Sequence, residues 1–92
     1  MDPVATPNAA PPSSLSLSVL APGRAATVVA VGSPGAALSA LEQRLLELGF
    51  VSGERVEVLA EARPGRDPFV VRVGSTTLAL RRREVETVWV EP

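Results

Sequence analysis

A mainly β fold, a small barrel of about five strands with one α-helix inserted between the first and second strands, follows from three features of the chain. Apolar residues alternate with period two through most of the second half, as from Arg55 to Glu61 and from Phe69 to Val73. One stretch, from Ala36 to Leu48, changes to the helical period. Turn formers separate these segments: Pro22-Gly23, Gly32-Ser33-Pro34-Gly35, Gly49, Gly53, Gly65 and Gly74. Strands this short cannot bury a flat sheet against one helix of about three turns. Curling into a small SH3-like barrel, with the helix over one open end, is the economical arrangement, and an open α+β roll is the competing one.

Residues 1–14 are rich in proline, alanine and serine and bury almost no area, so ordering them would cost about 1–2 kcal/mol of backbone entropy each with little return. They read as a flexible tail before a single domain at 15–92. A proline-peptide ligand is the other reading of such a segment, but no basic residue flanks its prolines. Leu15, Leu17 and Val19 alternate with Ser16 and Ser18 as in a half-buried extended segment, and Pro22-Gly23 turns the chain into a β-branched first strand from Ala25 to Val31. In the helix, Leu38, Leu41, Leu45 and Leu48 share a face, with Glu42, Gln43 and Glu47 opposite or flanking. It starts either early, with Ser33 as cap and Pro34 at the first helical position, or late, with Ser39 and Glu42 as a capping box. Gly49 ends it in the left-handed conformation, and Phe50 is placed for the apolar contact of such caps.

Beyond the helix, Val56 and Val58 share one face, as do Phe69, Val71 and Val73, which turns Arg72 to solvent. Gly74-Ser75 has the glycine-first form of a two-residue hairpin turn, and residues 77–80 return along it. A single helical turn from Arg81 to Val85 and a last strand from Thr87 to Val90 complete the chain.

Composition removes several function classes. Cysteine and histidine are absent, so disulfides, thiolate chemistry, the usual zinc sites and histidine acid–base catalysis are all excluded. All nine basic residues are arginine, balanced by ten acids to a net charge of -1, which gives no global field for nucleic acid or an anionic membrane. No apolar run approaches the roughly 20 residues that span a bilayer, and the N-terminus has no basic leader region, so a cytoplasmic protein without direct membrane insertion is expected. No serine has a partner base, and no phosphate-binding loop occurs. An enzyme is not expected, nor a cofactor. Glu57, Glu61, Asp67 and Glu86 are dispersed over strands and turns as surface charge, without the pattern of a carboxylate metal site.

Helix-terminal Arg44-Leu45-Leu46-Glu47-Leu48-Gly49, then Ser52-Gly53 before a strand, then Gly65-Arg66-Asp67-Pro68, a β-hairpin and Leu78-Ala79-Leu80-Arg81, resemble in order and spacing the FeoA family of ferrous-iron transport accessory proteins. The family pattern has Pro-Gly where Ser52-Gly53 stands and lacks Arg66 inside the Gly-Asp-Pro block. The resemblance covers roughly 15–92. It implies an SH3-like barrel and a small cytosolic, non-catalytic accessory touching the cytosolic GTPase region of the membrane ferrous-iron transporter FeoB. The alternative is an effector or dimerisation module similar to the C-terminal SH3-like domain of DtxR-type metal-dependent repressors.

For a contact of that kind the candidate residues are Arg44, Leu46, Phe50, Arg81, Arg82 and Arg83. Leu46 lies off the apolar stripe of the helix and is expected at the surface beside Arg44 and Phe50. Arg81-Arg82-Arg83 is the one basic run, read as a solvated, partly salt-bridged turn, as a protein contact or, without interleaved aromatics, less readily as a nucleic-acid grip. Trp89 is either core or an exposed anchor. Self-association to a homo-oligomer is left open.

Overall fold

The computed structural model describes residues 13–92. The expectation of a tail at 1–14 therefore falls largely outside the described residues; Ser13, at its end, donates its hydroxyl to Glu91 Oε1 at 2.7 Å. The elements run β1 (Leu15–Ser16), a 3-10 helix (Leu17–Val19), β2 (Ala25–Val31), α1 (Ala40–Leu48), β3 (Arg55–Glu61), β4 (Phe69–Val73), β5 (Thr76–Leu80), a second 3-10 helix (Arg82–Val85) and β6 (Val88–Glu91). All strand pairings are antiparallel, in the order β1-β6-β2-β3-β4-β5. The sheet has six strands rather than about five, and β1 and β5 are its two unpaired edges, so the SH3-like barrel is curled but not closed. Register shifts between Val28 and Ala30 in β2, and between Val58 and Ala60 in β3, are the irregularities that bend these strands around the core.

The core is one cluster in which Leu17, Leu45, Phe50 and Phe69 meet the inward valines of β2, β3, β4 and β6. Val56 and Val58 face inward as expected, as do Phe69, Val71 and Val73, because successive side chains of a strand point to opposite faces. The expected alternation across residues 15–19 is corrected. Leu17 is buried, but Leu15 and Val19 are 40% and 58% exposed. Ser16 ends the strand by accepting the Ser18 N–H at 3.2 Å and donating to the Glu86 carbonyl at 2.8 Å. The 3-10 turn that follows has period three and brings in Leu17 and Leu20 instead.

Of the two helix starts, the structure takes the late one. Ser39 Oγ accepts the Glu42 N–H at 3.0 Å, and Glu42 Oε1 accepts the Ser39 N–H at 2.8 Å. At the other end Gly49, at φ 118, directs its N–H to the Leu46 carbonyl, while the Phe50 N–H reaches the Leu45 carbonyl at 3.1 Å. Leu45 and Phe50 are both in the core cluster, which fixes the helix end against the barrel. Trp89 is half-buried, and its indole N–H is satisfied by the Gly32 carbonyl at 2.9 Å.

Candidate docking surface

The three consecutive arginines have different surroundings. Arg81 and Arg83 are exposed, while the Arg82 side chain is only 12% exposed. Its guanidinium donates to the carbonyls of Ser18 at 2.8 Å and Leu20 at 2.9 Å, to the Arg66 carbonyl at 3.1 Å and to Glu61 Oε1 at 2.6 Å. It also stacks over Phe69, 4.3 Å from the ring centroid. The Arg82 backbone N–H goes to Asp67 Oδ1 at 2.9 Å. Burial pushes the Glu61 carboxyl up, but the hydrogen bonds and charges of Arg66 and Arg82 outweigh that and hold it below its ordinary value of 4.5. Arg82 thus ties the 62–68 loop to the first 3-10 helix. It is not available as a rim cation.

Phe50 and Leu46 are likewise corrected as surface residues. Phe50 is fully buried, because the helix-ending turn folds its ring onto the core, and Leu46 is half-buried. The exposed leucine of α1 is Leu41, at 43%. The late start puts it in the first turn, and the helix meets the core only at Leu45, one turn further on. Arg44, three residues on, shares its side of the helix and is exposed. The stripe continues through half-buried Leu48 to Val51, 41% exposed, where it borders a cleft of about 200 Å³ lined also by Gly49, Glu54, Val73, Gly74, Ser75 and Thr76.

Sequence reasoning placed Leu41 in the core and did not single out Val51 or Glu54. A signal for Val51 was present: it sits between the helix-ending Gly49-Phe50 and a turn closed by the Glu54 N–H on the Val51 carbonyl at 3.0 Å, with Gly53 at φ 95. Connecting segments of this kind run over the protein surface.

The model of the FeoA domain matches residues 15–92. The chain belongs to the FeoA family. The family is implicated in ferrous-iron transport, and its solved members share the barrel seen here. A zinc-complexed FeoA of Stenotrophomonas maltophilia, described as an SH3-domain protein and a candidate activating factor of ferrous-iron transport, is 40% identical. The match covers 84% of this chain and 89% of that one, with a TM-score of 0.72. FeoA of Chlorobium tepidum is 38% identical over 84% of this chain and 69% of its own, with a TM-score of 0.69. A manganese-dependent transcriptional repressor aligns over 88% of this chain and 42% of its own at 22% identity and a TM-score of 0.69, which shows the shared fold alone. No curated protein matches the chain significantly. Among the described residues of this FeoA-domain chain, no group of three or more potential ligands is placed to hold a metal ion, and no helix is long and apolar enough to cross a membrane.

Proposed function

We propose that this chain is a non-catalytic accessory of ferrous-iron uptake that acts by protein–protein contact with the cytosolic GTPase region of a FeoB-like transporter. Family membership supports the iron-transport context. The observation that carries the contact is the strip of exposed Leu41 and Val51 bridged by half-buried Leu48, with exposed Arg44 beside it, along α1 and the turn that follows it. Exposed apolar side chains edged by charge are the arrangement from which small interfaces draw their anchors and their orientation.

Leu41→Asp and Arg44→Glu test it directly. Co-purification with the transporter's cytosolic domain and ferrous-iron uptake by cells are expected to fall, with circular dichroism unchanged. Normal binding and uptake by both folded variants would remove this face. If charge reversal at Arg81 and Arg83 is tolerated as well, the transporter contact itself is abandoned.

A further inference from the structure

The cleft beside the end of α1 holds a charge that nothing in the described chain answers. Val56 and Val58 of β3 face the core, so strand alternation carries Glu54, two residues before Val56, to the same side. It stands where the core opens between the end of α1, at Leu48 and Gly49, and the β4–β5 turn, at Val73 and Gly74. Its carboxylate lies against that turn, with Oε2 2.9 Å from where a Cβ on Gly74 would be, so the glycine leaves the group its place. The Gly74 N–H does not serve it, being held by the Arg55 carbonyl at 3.0 Å. Arg55 itself, the next residue along, is exposed and points to the other face of the strand. Glu54 is half-buried and has no ion-pair partner among the described residues.

We propose that this cleft takes one long basic side chain, a lysine or arginine, from the partner that docks on the Leu41–Val51 strip; the proposal rests on the transporter contact read above for that strip. The cleft volume of about 200 Å³ is below the roughly 300–1,000 Å³ of small-molecule pockets, so it fits a side chain and not a free ligand. Its walls match such a group along its length. Leu48, Val51 and Val73 suit an aliphatic stem, and the Glu54 carboxylate meets the charged head. Arg44 stands one helical turn before Leu48 on the same side of α1 and is exposed, so the strip carries a cation towards one end and an anion at the other. A partner segment with a basic residue, an apolar stretch and an acid in that order fits in one direction only; reversed, it sets like charges together at both places. This charge complementarity, added to the apolar strip, specifies the occupant.

Two measurements on the purified full chain test it. The first adds N-acetyl-arginine amide as probe, with uncharged N-acetyl-glutamine amide as control, and follows backbone amide shifts at low salt. Leu48, Gly49, Val73 and Gly74 are expected to move with the arginine probe alone, and to stay in place in Glu54→Gln. The second is binding to the transporter's cytosolic domain. Glu54→Gln should raise the dissociation constant about tenfold and flatten its salt dependence. Thr76→Arg, which sets an arginine of the chain itself on the cleft wall, should do likewise in a folded protein. Glu54→Arg should bind more weakly still, and reversal of one lysine or arginine of the transporter domain to glutamate should restore it. A cleft that treats both probes alike, a dissociation constant for Glu54→Gln within about twofold of the wild type, or failure of every such reversal to restore Glu54→Arg would each overturn the proposal. If the wild-type chain does not bind the domain while the cleft selects the arginine probe, the transporter reading fails and the basic occupant stands. Self-association of the chain that Glu54→Gln abolishes would overturn the transporter as its source and give the cleft an arginine of a second copy.

Discussion

The end of the barrel where the 62–68 loop meets the two 3-10 helices and the outer face of α1 carry the same residue types, arginine beside large apolar side chains, and use them in opposite ways. At the barrel end Arg82 lies over Phe69, and its guanidinium is used up on three carbonyls and one carboxylate. On α1, Arg44 stands beside exposed Leu41 and is in no ion pair among the described residues. What separates them is the supply of acceptors. Ser18 and Leu20, in and just after a 3-10 turn, and Arg66, in the loop, have carbonyls that the sheet ladder leaves unpaired, and a planar five-donor fork satisfies several at once. A helix surface offers no such carbonyls, because its own ladder has consumed them.

The strongest way to break this contrast is Arg82→Ala. Removing the fork orphans carbonyls of Ser18, Leu20 and Arg66, and the expected loss is about 3 kcal/mol in denaturant unfolding. Arg82→Lys should recover only part of it, since a point charge replaces a fork. A change below about 0.5 kcal/mol in Arg82→Ala would return Arg82 to the pool of free surface cations.

Acid titration sharpens the same point. The Ser39 backbone N–H, and then Thr87, bond the Glu42 carboxyl and hold it below 4.5 despite partial desolvation; Glu61 is lowered as well, with Arg66 and Arg82 prevailing over desolvation. A carboxyl lowered in the fold stabilises the protein above its unfolded value, and that stabilisation is lost as pH falls through the lowered value. Stability should therefore decline as the pH drops below 4.5, and Glu61→Gln should flatten part of that slope. An unchanged slope in thermal melts at stepped pH would show that Glu61 is not linked to folding.

Smaller effects are expected around α1. Gly49→Val should cost about 1–2 kcal/mol: a Cβ there would have ordinary space, 3.7 Å from the nearest Val73 methyl, so the penalty comes from backbone strain at φ 118. An unchanged denaturant midpoint would mean that the helix end relaxes freely. Smallest of all, Leu41→Asp and Arg44→Glu should shift stability by no more than about 0.5 kcal/mol, in contrast to Arg82→Ala. A larger loss at Arg44 would erase the distinction between the two regions.

The hairpin of β4 and β5, the capping box, the left-handed Gly49 and the inward faces of β3 and β4 were legible in the sequence, as was the FeoA pattern. Each depends on residues within a few positions of one another, where sterics and local hydrogen bonds suffice. β5 was legible as strand, but its unpaired outer edge was not, since that depends on which strand takes the end of the sheet. For the candidate site, Arg44 was found at the surface, while Leu41 proved exposed and Leu46 half-buried, because helix periodicity gives a face and not the depth at which that face meets the core. Phe50 and Arg82 show the limit most clearly. Partners up to 64 residues away decide whether Arg82 is a rim charge or a tie across the barrel. Local sequence determined which segments bend, extend or coil; only the folded chain, by bringing unpaired carbonyls and a carboxylate to one guanidinium, decided which arginine the surface retains.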